Sequence, residues 1–235
     1  MGLKDGILTL LFTNRCRWCG EVTDVRKKDC DRCLEALDRI DGEICLYCGC
    51  KTSDCRCKKQ KSFYKHVCAP FYYRTSAEKA IHRLKFGGKT EVAELLANEM
   101  YSCFLERYGE YDFDICTFVP ASKKSIKERG FNQSELLANN LAKLAELKVA
   151  PLLVKLRDTP PQHLLPRIKR SGNLLGVIDF NEDADIDVTD MRILLVDDIK
   201  TTGATLNECA KTLMIHGAAE VLCLTAAISS NNSQY

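Results

Sequence analysis

Ile193-Leu194-Leu195-Val196-Asp197-Asp198-Ile199-Lys200-Thr201-Thr202-Gly203-Ala204-Thr205 carries more information than any other stretch of this chain. The apolar run Ile193–Val196 reads as a strand buried on both faces, and a helix follows from Thr205 to His216, closed by Gly217. In open α/β sheets ligands bind beyond the carboxyl ends of the strands, and Asp197 and Asp198 stand at that end. The turn that follows offers main-chain amides at the positive end of a helix, which suits a phosphate dianion. Gly203 lets the chain approach a ligand closely, and Thr201, Thr202 and Thr205 each add a hydroxyl. Two carboxylates are acceptors for the vicinal hydroxyls of a ribose. Phosphate at one end and diol at the other outline ribose 5-phosphate. A plain strand–turn–helix would use one Thr and one Asp as caps, but does not call for two adjacent acids and three threonines.

Working outward, strands and helices alternate. Ala69–Tyr73 reads as a strand, 76–86 and 89–108 as helices split by Gly87-Gly88, and Ile115–Val119 as a buried strand ending at Pro120. A polar, basic stretch precedes a helix from about Asn132 to Leu147; Arg167–Leu174 reads as a short helix, 176–190 as a loop with one strand, and Val221–Ala227 as the last strand. This alternation predicts an α/β fold with a mostly parallel sheet covered on both faces.

Ten of the 14 cysteines lie between Cys16 and Cys68. They form the pairs Cys16-x-x-Cys19, Cys30-x-x-Cys33, Cys45-x-x-Cys48 and Cys55-x-Cys57. A pair spaced by two residues turns both thiolates toward one ion, and two pairs complete a tetrahedron around zinc. Sequential pairing gives one Zn²⁺ on Cys16, Cys19, Cys30 and Cys33 and a second on Cys45, Cys48, Cys55 and Cys57. A crossed pairing, Cys50 replacing a neighbour, and an iron–sulfur cluster are the alternatives. With four protein ligands per ion the expected role is structural. Residues 1–68 are therefore expected to form a cysteine-rich zinc-binding module and residues 69–235 an α/β domain.

Composition narrows the class. The 235 residues are 46% hydrophobic and 28% charged, ordinary values for a globular protein, with a net charge of +2. The apolar run Ile7–Phe12 is too short for the core of a signal peptide, so reduced thiols and a cytoplasmic location are expected. Residues 1–68 hold 14 Lys/Arg against 10 Asp/Glu, an excess that two tetrathiolate zinc sites would nearly cancel, so this segment is not expected to grip DNA by charge. Trp18, Phe63 and Tyr64 are candidates for stacking on bases, though packing is the simpler fate. Residues 119–175 carry net +7 and residues 176–190 net −6. Within the basic run Lys123, Lys124, Lys127, Arg157, Arg167 and Lys169 read either as a solvated face or as a track for a nucleic-acid backbone.

The loop Asp197–Thr205 resembles the phosphoribosyl pyrophosphate (PRPP) signature of type I phosphoribosyltransferases, and the whole chain resembles the ComF family. The further matches are the cysteine opening Gly6–Gly20, Val119-Pro120, Arg129-Gly130-Phe131-Asn132-Gln133 with Leu136–Ala138, and Gln162, Arg170 and Asn173. Thr13 and Ala121 stand where the family often has proline, Cys55-x-Cys57 is one residue short of the usual spacing, and Asn173–Phe180 is longer than expected. The resemblance implies the Rossmann-like type I phosphoribosyltransferase architecture, preceded by a zinc-ribbon-like cysteine module. It implies PRPP contacts from Asp197, Asp198, Lys200, Thr201, Thr202, Gly203, Ala204 and Thr205, with Pro120, Ala121, Arg129 and Arg170 around the pyrophosphate and Mg²⁺ bound along with PRPP. Two functions follow from it. One is a PRPP-binding protein that handles single-stranded DNA with the DNA-uptake machinery during natural transformation. The other is an active phosphoribosyltransferase, with Asp197 and Asp198 at the reacting ribose and pyrophosphate released.

Overall fold

The computed structural model describes residues 14–57, 62–87, 90–156 and 177–229. The elements in chain order are β1 (Asn14–Arg15), β2 (Val22–Thr23), α1 (Asp31–Glu35), β3 (His66–Cys68), β4 (Phe71–Tyr72), α2 (Thr75–Gly87) and α3 (Thr90–Tyr108). They continue with β5 (Ile115–Phe118), α4 (Lys123–Arg129), α5 (Gln133–Ala145), β6 (Leu153–Lys155), β7 (Ile178–Phe180), β8 (Arg192–Lys200), α6 (Ala204–Ile215) and β9 (Glu220–Ile228). The main sheet has the order β3-β9-β8-β5, with β4 alongside β9 beyond β3, and every pairing in it is parallel. The pairs β1–β2 and β6–β7 are antiparallel.

A strand turns alternate side chains to opposite faces, so a continuous apolar run signals cover on both. Leu194 and Val196 pack with Leu84 of α2, Leu96 and Met100 of α3, and Leu137 and Leu141 of α5. Ile193 and Leu195 face the other way, toward Leu206, Cys209 and Leu213 of α6. All of these side chains are buried, each stabilising the fold by about 1.5–3 kcal/mol relative to exposure. The start of α5 is fixed by Asn132, whose side-chain oxygen accepts from Ser134 N at 3.1 Å.

The α/β reading with a mostly parallel sheet holds, and several boundaries differ. Strand β8 does not stop at Val196. Asp197, Ile199 and Lys200 continue the ladder against Thr225, Ala227 and Ile228, so the long partner β9 draws polar residues into the sheet. The basic stretch after β5 contains α4, which Ser122 caps by accepting from Ser125 N and Gly130 ends at φ 85°. Its polar sequence has no apolar periodicity to announce it. The first sheet strand is His66–Cys68, before the expected Ala69–Tyr73, and pairing resumes at Phe71 after Pro70, which has no N–H to give. The helix expected at Arg167–Leu174 lies outside the described residues. Trp18 and Tyr64, candidates for base stacking, are buried, Trp18 edge-on to Phe71 at 5.5 Å between centroids; Phe63 is exposed.

The cysteine-rich segment packs on the sheet. Val67 N donates to Leu46 O (3.0 Å), Ile40 N to Pro70 O (2.9 Å) and Tyr72 N to Asp38 O (2.9 Å), around a cluster of Ile40, Cys50, Ala69, Tyr72 and Ile228. Among the described residues no helix is long and apolar enough to cross a membrane.

Candidate functional site

The carboxyl end of β8, the turn after it and the start of α6 line a cleft of about 220 Å³, counting its open mouth, with Asp197, Lys200, Thr201, Gly203, Ala204 and Thr205 among its walls. Gly203 is the N-cap of α6 at φ 81°, a left-handed conformation that side chains strain to adopt. A Cβ there would stand 3.0 Å from Tyr64 Oη and 3.2 Å from Lys200 Cε. Gly203→Ala should therefore cost about 1 kcal/mol or more of stability and weaken anion binding at the turn. Urea melts and a phosphate titration check this, and an unchanged affinity would contradict a role for the tight turn. Thr201 and Thr202 are exposed, and Thr202 Oγ1 accepts from Ala204 N at 3.3 Å.

The two acids are buried. Asp197 Oδ1 accepts from Ser134 Oγ at 2.8 Å and from Asp198 N at 2.8 Å. Burial, then the neighbouring Asp198 charge, push the Asp197 carboxyl up to about 7, against the pull of those two hydrogen bonds and of Lys85. Asp198 Oδ2 pairs with Lys85 Nζ at 2.5 Å. Burial alone would lower the Lys85 pKa, but the charge and hydrogen bond of Asp198 outweigh it and raise the value. Lys200 is also buried, and its pKa is lowered by that burial.

The turn after β5 lies beside the acids. Val119 N donates to Val196 O (3.0 Å), and Asn132 Nδ2 donates to Val119 O (3.0 Å), which ties the start of α5 to Pro120 and Ala121. Arg129 donates from Nη1 to Gln133 Oε1 at 3.1 Å, with its guanidinium 5.2 Å from the centroid of the Phe86 ring. Gln133 Nε2 is buried without a partner among the described residues. Arg170 lies outside the described residues. Sequence reading gave no role to Lys85, Ser134 or Gln133. The Arg129–Gln133 motif contains Gln133, whereas no local pattern marks Lys85 or Ser134.

The cysteines gather into two tetrads in sequential order, Cys16, Cys19, Cys30 and Cys33, and Cys45, Cys48, Cys55 and Cys57. The ligand atoms within each lie within 4.8 Å of one another. Tetrahedral zinc with thiolates at about 2.3 Å sets sulfurs roughly 3.8 Å apart. Cys19 and Cys30 sulfurs are 4.0 Å apart, Cys45 and Cys57 3.6 Å, and Cys48 and Cys55 3.6 Å, so either tetrad could hold a metal ion. Cys50 falls outside both. The first tetrad docks on α2, where Arg83 Nη1 donates to Cys16 O (3.2 Å) and Ser76 Oγ to Cys33 O (2.9 Å). The second docks on the sheet, where a Cβ on Gly49 would lie 3.0 Å from Val67 O.

A parallel sheet whose inner strand carries two acids near its carboxyl end, followed by a glycine-led helix start, is the arrangement of a phosphoribosyltransferase-type domain, and the family described as Phosphoribosyl transferase domain matches residues 132–235. Over most of its length the chain is similar to Competence protein ComFC of Bacillus subtilis (strain 168), 30% identical over 211 residues, covering 82% of this chain and 80% of that protein. It is also similar to DNA utilization protein YhgH of Escherichia coli (strain K12), 28% identical over 206 residues, covering 83% and 88%. The chain belongs to the ComF family. Among solved structures, the purine phosphoribosyltransferase of Pyrococcus horikoshii Ot3 aligns with 57% of this chain and 74% of its own at 18% identity and a TM-score of 0.36. That score adds nothing to the family match.

Proposed function

We propose that this protein binds PRPP or a related phosphoribosyl ligand in the cleft after β8 and serves the handling of single-stranded DNA in the cytoplasm. The observation that carries the pocket is the buried pair Asp197 and Asp198 beside the glycine-capped turn. Asp197 and Asp198 hold the ribose hydroxyls, and Lys200, Thr201, Thr202, Gly203, Ala204 and Thr205 surround the 5-phosphate. Pro120, Ala121, Arg129 and Arg170 meet the pyrophosphate, where an arginine fork suits phosphate oxygens. Carboxylate oxygens are the donors Mg²⁺ prefers. One of them is already taken by Lys85, which favours an ion held mainly by ligand oxygens. When bound, that ion would neutralise pyrophosphate charge.

The two cysteine tetrads hold structural Zn²⁺ in this reading, as thiolate softness and sulfur spacing favour. Thiolate sites of this kind suit a reducing compartment. The chain divides near residue 68 into a cysteine module and a phosphoribosyltransferase-like domain, with β3 running in the sheet of the second.

The DNA role rests on the relatives, which are named for competence and for DNA utilization. Deoxyribose lacks one of the two hydroxyls that the acid pair takes, so DNA tracks the exposed lysines of α4, Lys123, Lys124 and Lys127, while the pocket keeps a ribose ligand. Single-stranded oligonucleotide binding should fall steeply as salt is raised, as phosphate contacts require. Anisotropy titrations at several salt concentrations test this, and affinity that ignores salt would refute it. One observation favours catalysis as well: a buried carboxyl near pH 7 is typical of reactive sites. Pyrophosphate release from Mg-PRPP with an acceptor base would establish that reading.

A further inference from the structure

We infer that Lys85 is the resident counter-ion of the acid pair, a positioning residue that lets the pocket take the diol of a phosphoribosyl group lacking pyrophosphate without help from a divalent cation. This deepens the pocket reading above and rests on it. Two carboxylates side by side in a buried strand end repel each other, and a cation beside them offsets that repulsion and strengthens them as acceptors for a diol. With PRPP, a metal travelling with the pyrophosphate would add to that charge. A ligand such as ribose 5-phosphate brings no pyrophosphate and only a weak claim on a metal. Lys85 supplies the charge from within, its ammonium 2.5 Å from Asp198 Oδ2.

The placement is not explained by a need to staple α2 to the sheet. Ala77, Ala80, Ile81 and Leu84 of that helix are all 0% exposed and already fix it. A partly buried ion pair adds little net stability after desolvation. The Lys85 and Asp198 side chains keep 22% and 12% exposure, so the pair borders solvent, one residue along β8 from Asp197 in the cleft wall. Ser134 holds the other acid from the opposite side through its hydroxyl at 2.8 Å. The pair is thus braced by a hydroxyl donor on Asp197 and a cation on Asp198, leaving the remaining carboxylate oxygens as acceptors.

The test is calorimetric titration of the full zinc-loaded chain with ribose 5-phosphate, in magnesium-free buffer and again with magnesium. Wild type should bind equally in both. Lys85→Gln should bind about tenfold or more weakly without magnesium and regain affinity when it is added, whereas Lys85→Arg should stay like wild type. Asp198→Asn should lose binding in both buffers, because the amide puts an NH2 donor in place of one acceptor oxygen and magnesium cannot restore the lost charge-assisted bond. A wild-type requirement for magnesium, or Lys85→Gln behaving as wild type in both buffers, overturns the inference while leaving the pocket intact. A wild-type requirement for magnesium overturns the inference even if Lys85→Gln fails to fold. Absence of ribose 5-phosphate binding by the wild type in both buffers removes the pocket reading and this inference with it.

Discussion

Calorimetry of the double variant Asp197→Asn, Asp198→Asn with PRPP should show no measurable heat, on a chain that still folds. Each carboxylate that accepts from a ribose hydroxyl makes a charge-assisted hydrogen bond worth about 1.5–3 kcal/mol. Losing two weakens binding by about 10²- to 10⁴-fold. The amides keep the shape of the acids, and the Lys85 side chain, 22% exposed, can carry its ammonium outward to water. Undiminished affinity would mean the pocket is misassigned. The single variants should separate in stability. Asp198→Asn leaves Lys85 without its ionic partner and costs up to about 3 kcal/mol. Asp197→Asn instead removes a carboxyl that burial and Asp198 hold up to about 7.

The sign of the pH effect follows. The native state keeps the Asp197 proton over a range, from about pH 4 to 7, in which the unfolded chain has released it. The stability this group contributes is therefore complete below about pH 4 and is lost as pH rises through about 7. Asparagine has no such dependence. Urea melts at about pH 5 and about pH 8 should show the variant gaining on the wild type at the higher value. A constant gap would mean that Asp197 titrates normally.

Removing metal from the second tetrad, by Cys48→Ser, should cost more than local order; phosphoribosyl binding should go with it. A structural zinc site in a small module contributes apparent folding free energy of about 10–16 kcal/mol, far more than the segment's few apolar contacts can replace. The turn bearing Cys45 and Cys48 is hydrogen-bonded to β3 through Leu46 and Val67, and Tyr64, just before β3, crowds Gly203 in the phosphate turn. Lys200, at the end of β8, is close enough to the cysteines Cys50, Cys48 and Cys57 to feel their charge. Loosening this knuckle releases one wall of the cleft. The first tetrad docks through Arg83 and Ser76 on α2, the helix whose Lys85 pairs with Asp198. Zinc content, thermal melts and PRPP titrations on Cys48→Ser and Cys19→Ser would test this. Full ligand affinity in a metal-depleted Cys48→Ser chain would show that the tetrad and the pocket are independent.

The strand, turn and helix from Ile193 to Ile215 were legible because their signals are local: a run of apolar residues, a glycine at a cap, hydroxyls at a helix start. The grouping of the cysteines was legible for the same reason, since a pair two residues apart fits one turn. Helices α2, α3 and α5 followed from apolar spacing, whereas α4, held by caps rather than by an apolar stripe, did not. Gln133 stood within a recognised motif and Ser134 just beyond it, but nothing in their spacing disclosed that the amide of one lacks a partner among the described residues or that the other bonds to Asp197.

The sequence by itself determined a covered parallel sheet, two cysteine clusters and an acid pair beside a glycine- and threonine-rich turn, because each is written within a few neighbouring residues. Only the tertiary structure decided that β8 runs on through Lys200, that Trp18 is core, and that Lys85 is the cation facing Asp198. These depend on strand register and on how a helix settles across the sheet, and packing between distant segments leaves no periodic trace along the chain.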